Sequence, residues 1–192
     1  MENSLDTMRR KILVLAAHPD DIEIGCLATI QKLSEQGSEI HLCVLTGNEN
    51  RKKEFEASCL DLKSKGFAIY DFKSFNFKDG ALYDNRTEIK SVIQSCYQDK
   101  GFEIIFTHSR NDLHQDHRLV AEITLELFRQ SSILAFEIPK YDGNFFKPQM
   151  YVEISENAAA LKIDHLMLHY PTQHKKYWYK RSTFEATLVI RG

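Results

Sequence analysis

Two short clusters of histidine and aspartate lie in separate halves of the chain, at residues 17–21 (Ala-His-Pro-Asp-Asp) and 114–117 (His-Gln-Asp-His). Each follows an apolar run typical of a buried strand, at residues 12–16 and 104–106. In an open α/β sheet, ligands bind at the edge formed by the carboxyl ends of the strands. Imidazole and carboxylate groups are zinc ligands, so the clusters together predict a metal site there, with room for water.

The side chains suggest separate roles within this site. Asp21 lies three residues after His18, across one turn at a helix start, so both can reach the same ion. His117 arrives from the start of another helix and completes a set of three ligands, which leaves a coordination position open. Asp20 is then a carboxylate beside the ion, which suits a general base.

The second cluster supplies two further groups. His114 could hydrogen-bond an oxyanion or protonate a leaving amine, and Asp116 could hold His114 in the correct tautomer. The alternative is that Asp20 and Asp21 are simple helix caps, and that the histidines are solvated residues on an amphipathic helix. The joint occurrence of three ligands, a base and an acid on one predicted edge favours the functional interpretation.

The elements that must position these residues alternate between strand and helix. Strands are predicted at 11–17, 39–46, 67–72, 102–107, 133–138 and 150–154. Helices are predicted at 21–36, 51–65 and 86–98, around His117, and from Ser155 to about His169. Residues 139–148 are predicted to form a loop near the site. The pattern at 175–190 is ambiguous. Repeated βα units predict an α/β fold in three layers, with a mainly parallel sheet and helices on both faces.

Length and composition exclude several protein classes. A chain of 192 residues can form one well-cored α/β domain. The net charge of −2, with no basic block, argues against a nucleic-acid binder and a polybasic membrane anchor. No run approaches the ~18 apolar residues of a membrane span, and residues 1–11 lack the apolar core of a signal peptide. With four scattered cysteines, we expect free buried thiols and a cytoplasmic protein.

A nucleotide-binding Rossmann domain is an alternative with the same element order. Its first βα turn would carry Gly-x-Gly-x-x-Gly to let the backbone approach pyrophosphate. This chain has only Gly25 there, after two carboxylates that would repel phosphate, and it has no P-loop motif. The sequence therefore favours a metalloenzyme.

The two motifs resemble those of the PIG-L/LmbE-like zinc-dependent N-deacetylases. That family has Ala-His-Pro-Asp-Asp after its first strand and a later His-x-Asp-His, and the resemblance continues through residues 22–26 and Asn111-Asp112. It covers most of the chain. It implies a single domain at 1–192 with a Rossmann-like fold. It also implies hydrolysis of an N-acyl amide, usually N-acetylglucosamine within a larger conjugate.

The resemblance also implies roles for individual residues. It places zinc on His18, Asp21 and His117, with Asp20 as the base. His114, supported by Asp116, is then the acid or the stabiliser of the oxyanion. Arg51 and Asp79 are candidate substrate contacts. His108 could line the site, His41 is expected to be packed in a strand, and His165, His169 and His174 are expected to decorate a C-terminal helix and loop.

Three further expectations concern the metal, the length of the chain and an alternative function. Iron or cobalt could replace zinc, because histidine and carboxylate ligands accept all three. Cys26-Leu27 stands where relatives often have Gly-Gly, and relatives usually continue beyond Gly192. We therefore expect a short variant whose pocket is open or is completed by a second subunit in a homo-oligomer. A degenerate, metal-dependent sugar-binding module is the second alternative.

Overall fold

The structure is a computed structural model that describes residues 9–140 and 147–192. Its strands are β1 (Lys11–Ala16), β2 (Glu39–Thr46), β3 (Ile69–Phe77), β4 (Ile104–His108) and β5 (Ser132–Phe136). Its helices are α1 (Asp21–Glu35), α2 (Glu49–Ser64), α3 (Arg86–Tyr97), α4 (Gln115–Leu127), α5 (Glu156–His169) and α6 (Arg181–Arg191). The alternation of strand and helix predicted from the sequence is confirmed from β1 to β5.

The five strands form one parallel sheet in the order β3-β2-β1-β4-β5. The chain runs from β1 outward to β3, then returns to place β4 on the other side of β1. The strand order therefore reverses between β1 and β4, which is where open α/β sheets form a crevice for ligands. Both histidine–aspartate clusters follow these two neighbouring strands.

Helices cover both faces of the sheet, as predicted. On β1, Ile12 and Val14 point into a core that is completed by α1, α2, α5 and α6. Leu13 and Leu15 point the other way, into a core completed by α3 and α4. Because all four side chains are fully buried, each contributes about 1.5–3 kcal/mol from burial. The central strand is thereby fixed between two apolar layers, and the turn after it is held firmly.

Two predicted strands differ from the structure. β3 continues to Phe77, beyond the predicted end at residue 72. No strand forms at 150–154; this segment lies beside α1, where Lys32 Nζ donates to the Glu153 carbonyl at 3.5 Å. A strand needs a hydrogen-bonded neighbour, and the apolar alternation of this segment could not supply one. The ambiguous stretch at 175–190 contains α6, and residues 141–146 of the predicted loop lie outside the described part.

The described residues also bear on the predictions about membrane spans and cysteines. None of the helices there is long and apolar enough to cross a membrane. The four cysteines are free thiols; Cys26, Cys43 and Cys59 are buried, and Cys96 is half-buried. The prediction of buried free thiols is therefore confirmed for three of the four.

Candidate active site

The first cluster forms the tight turn between β1 and α1. Asp21 opens the helix, and its Oδ2 accepts the backbone N–H of His18 at 2.8 Å and lies 2.9 Å from His18 Nδ1. Asp20 adopts a left-handed backbone conformation with φ of 99°, which aspartate and asparagine tolerate better than other non-glycine residues. The turn therefore presents a histidine and an aspartate toward one point.

The second cluster brings His117 to the same point from the first turn of α4. Its Nε2 lies 3.2 Å from His18 Nδ1 and 3.3 Å from Asp21 Oδ2. All three side chains are buried. The structure thus brings together the three predicted ligands, whose donor atoms form a nearly equilateral triangle.

This triangle fits a zinc-class ion. With bonds of about 2.0–2.1 Å and tetrahedral angles, neighbouring ligand atoms lie about 3.3 Å apart. The observed edges of 2.9, 3.2 and 3.3 Å are close to that value. Two imidazoles and one carboxylate are also the donor types of catalytic zinc sites, which keep a fourth position open.

Carboxylates hold the other ring nitrogen of both histidines. His117 Nδ1 lies 2.8 Å from Asp112 Oδ2, and His18 Nε2 lies 3.2 Å from Asp79 Oδ1 and 3.4 Å from Asp116 Oδ2. Such partners fix the tautomer and orientation of a metal-ligating histidine. They leave His18 Nδ1 and His117 Nε2 as the lone pairs that face Asp21.

The charges of the site are mutually stabilising. Burial would raise the pKa of Asp21, but His117 and His18 hold it well below its usual range. Burial would lower the pKa of His117, but Asp21 and Asp112 raise it. A cation placed among these groups takes over the role of the histidine protons, because it also stabilises the Asp21 carboxylate.

Arg51 lies against Asp20 and extends from the first turn of α2. Its Nη2 donates to Asp20 Oδ1 at 2.6 Å and also to the Pro19 carbonyl. Burial raises the pKa of Asp20 to about 7, although Arg51 lowers it. The predicted substrate contact therefore has a partner within the protein, and it holds one oxygen of the candidate base.

The expected support of His114 by Asp116 comes from a different atom than predicted. The Asp116 backbone N–H donates to His114 Nδ1 at 3.3 Å, and this bond caps α4. The Asp116 carboxylate instead accepts the backbone N–H of Gly80 at 2.7 Å and of Leu82 at 3.2 Å. Because burial lowers the pKa of His114 to about 4, the ring is neutral and carries its proton on Nε2.

The Asp116 contacts with Gly80 and Leu82 also place Asp79 at the mouth of the site. The Asp79 side chain is 62% exposed, and hydrogen bonding to His18 lowers its pKa to about 2. An ionised, accessible carboxylate beside the metal position suits a contact with substrate hydroxyl groups.

Sequence reasoning missed Asp112, and it predicted only that His108 could line the site. His108 Nε2 accepts the Ala17 N–H at 2.9 Å, and its ring stacks on His117 with centroids 3.8 Å apart. His108 Nε2 thus holds the turn after β1, and the same atom lies 3.4 Å from Asp21 Oδ2, so His108 lines the site. For Asp112, the signal was its place five residues before His117, which allows it to reach back to the ring from the preceding loop.

Of the predictions for His41 and His165, the first is confirmed and the second is wrong. His41 is packed in β2, as expected, where its Nε2 lies 2.7 Å from Glu39 Oε1. The expectation that His165 decorates the surface is wrong, because only 1% of it is exposed. His165 lies on the side of α5 that faces α2, together with the half-buried His169.

Comparison with known proteins shows the family to which this site belongs. The family model described as PIG-L, GlcNAc-PI de-N-acetylase, matches residues 13–128, more than half of the chain. The chain belongs to the PIG-L family. The match includes both histidine–aspartate clusters, most of β1 and all of β2, β3 and β4.

Relatives extend the likeness beyond the matched segment. The uncharacterized deacetylase YaiS of Escherichia coli is 29% identical over 171 residues, which span 84% of this chain and 91% of YaiS. An N,N'-diacetylchitobiose deacetylase from Pyrococcus horikoshii superposes with a TM-score of 0.70 at 21% identity, covering 95% of this chain and 78% of the deacetylase.

The same fold also occurs in an enzyme of another class. A 4-carboxy-2-hydroxymuconate hydratase from Pseudomonas putida superposes with a TM-score of 0.67 at 16% identity, covering 96% of this PIG-L family chain and 86% of the hydratase. The fold by itself therefore does not decide the reaction, which depends on the side chains of the site.

Proposed function

We propose that the protein is a zinc-dependent N-deacetylase that removes an N-acetyl group from an amino-sugar conjugate. The observation that carries this proposal is the convergence of donor atoms of His18, Asp21 and His117 within 3.3 Å of one another. Asp20 precedes Asp21 in the same turn, and Arg51 holds its Oδ1 oxygen. Membership of the PIG-L family and the likeness to YaiS support an amide as the substrate.

Each residue has a role that follows from its position. His18, Asp21 and His117 would hold the ion, which would act as a Lewis acid on the acyl carbonyl and make water more acidic. Asp20 accepts a proton from the attacking water, as a general base does. His114 donates its Nε2–H to the oxygen of the acyl group as negative charge develops there.

The amine leaves with the proton that Asp20 took from the attacking water. The neutral His114 ring keeps its Nε2–H, because losing it would create an imidazolate anion. Arg51 keeps Asp20 oriented through its Oδ1 oxygen. The exposed Asp79 carboxylate is positioned to accept hydrogen bonds from sugar hydroxyl groups.

A screen of N-acetylglucosamine conjugates tests this proposal directly. The zinc-loaded protein is expected to release acetate and a free amine in equal amounts, a chelator to stop the release, and added Zn²⁺ to restore it. Conjugates that bind without turnover would favour the degenerate sugar-binding module. Binding of nucleotides with no effect of the chelator would favour the Rossmann-domain alternative.

Substitution of Arg51 and of Asp79 separates orientation of the base from substrate binding. Arg51→Gln and Asp79→Asn are each expected to keep the metal and lose roughly 1–3 kcal/mol of transition-state binding, the range for a hydrogen bond to a charged group. This corresponds to a roughly 5- to 150-fold fall in kcat/KM. Steady-state kinetics with the best conjugate measures the loss.

The pH profile tells the two variants apart. Because the Arg51 cation lowers the pKa of Asp20, its removal is expected to move the acid limb of kcat to higher pH. Asp79→Asn is expected to raise KM without moving that limb. Unchanged kcat/KM in both variants would show that neither side chain contributes to binding of the transition state.

A further inference from the structure

A second group of potential ligands lies between α2 and α5, outside the candidate active site. His165 and His169 are four residues apart on α5, so they share one face of the helix. Asp61 of α2 faces both: its Oδ2 lies 3.0 Å from His169 Nε2 and 3.2 Å from His165 Nδ1. The three donor atoms all lie within 4.8 Å of one another.

The Nδ1 atom of His165 is buried and lacks a hydrogen-bond partner. At 3.2 Å from Asp61 Oδ2 it would form a hydrogen bond if the oxygen lay on the axis of that nitrogen. The oxygen therefore lies off this axis. A nitrogen and an oxygen that lie this close without a hydrogen bond between them leave room for an ion that both can bind.

The opposite side of the ring indicates which nitrogen carries the proton. His165 Nε2 lies 2.7 Å from Ser58 Oγ, and the Ser58 hydroxyl donates to Glu23 Oε1 at 2.5 Å. A hydroxyl has only one proton to donate, so Ser58 accepts the Nε2–H of His165. Burial lowers the pKa of His165 to about 3, and the neutral ring then has its free lone pair on Nδ1, beside a carboxylate.

We propose that Asp61, His165 and His169 form a second site for a divalent metal ion of the zinc class, which joins α2 to α5. Two imidazoles and a carboxylate are ligands that zinc accepts. A cation also removes the repulsion between the Nδ1 lone pair and the Asp61 carboxylate. Without an ion, Lys65 Nζ pairs with Asp61 Oδ2 at 2.5 Å, and its 40% exposed side chain can turn into solvent when the ion binds.

The order Ser58–His165–Asp61 also resembles the triad of a serine hydrolase. Ser58 is fully buried, and its proton is donated to Glu23. A nucleophile in that position has no access to a substrate, so these contacts favour a structural metal site over a second catalytic centre.

This site is separate from the proposed deacetylase chemistry. It shares no residue with the candidate active site, and its two histidines lie beyond the segment 13–128 that matches the family model. Metal at this site is expected to stabilise the fold, because an ion that binds only the folded state raises its stability.

The test compares zinc content after dialysis against Zn²⁺ for the full-length protein and three variants. His169→Gln and Asp61→Asn are each expected to hold one equivalent less than the wild type. Asp164→Asn, an acidic residue of α5 whose side chain is 66% exposed, is the matched control and is expected to hold the wild-type amount. Lys65→Gln is expected to lower the Kd for Zn²⁺, since it removes the competing cation.

Two further readouts make the result decisive. Zn²⁺ is expected to raise the Tm of wild type more than that of His169→Gln, while His169→Gln keeps deacetylase activity with any conjugate that the wild type turns over. Equal zinc content in wild type and folded His169→Gln would overturn the second site, whatever the outcome for catalysis. His169 has a 13% exposed side chain, so this variant carries the test if Asp61→Asn does not fold.

Discussion

His117→Ala is expected to lose the metal of the candidate active site and nearly all activity. The His117 ring supplies one of three donor atoms, and a site left with two donors cannot hold its ion against water. Because a metal contributes several kcal/mol to transition-state stabilisation, kcat/KM is expected to fall by about 10³-fold or more. Metal analysis of the purified variant, together with acetate release, measures both effects.

His18→Ala is expected to behave in the same way, because Nδ1 of His18 completes the same triangle. A matched control is His41→Gln, which alters a buried histidine of β2 that has no contact with the site among those described. The control is expected to retain zinc and activity. If His117→Ala and His18→Ala both kept full metal content, the assignment of ligands would be wrong.

Asp20→Asn is expected to retain metal and substrate binding while kcat falls by about 10²–10⁴-fold, the usual contribution of a general base. Asparagine keeps the shape of the side chain and tolerates the left-handed backbone at this position. It can still contact Arg51 through its carbonyl oxygen, but it cannot accept a proton from water. The acid limb of the pH–rate profile is expected to disappear with the base.

Metal content and kcat of Asp20→Asn distinguish the possible outcomes. A loss of metal as large as the loss of rate would make Asp20, instead of Asp21, the ligand. An unchanged rate would show that Asp20 is not the base. Asp84→Asn is a suitable control, because it makes the same chemical change at an exposed position and is expected to leave kcat unchanged.

Much of the fold could be predicted from local sequence. Runs of apolar residues before Ala17 and His108 predicted buried strands. The stop signal at Gly37 and the capping signal at Ser155 agree, to within a few residues, with the end of α1 and the start of α5. These signals are local, because strand and helix patterns depend on neighbouring residues. The predicted strand at 150–154 was wrong because a strand also needs a hydrogen-bonded partner. The local alternation of apolar residues carries no information about that partner, which the rest of the fold supplies.

The sequence by itself placed the residues that do the proposed chemistry, since the two clusters follow strand ends and have the required side-chain types. The tertiary structure alone decided which atoms meet. It paired Asp112 with His117, placed Arg51 on Asp20, and directed the Asp116 carboxylate to the backbone of Gly80. The group of Asp61 with the two α5 histidines was not predictable either, because its members are distant in sequence and converge only when α2 and α5 pack on the same face of the sheet.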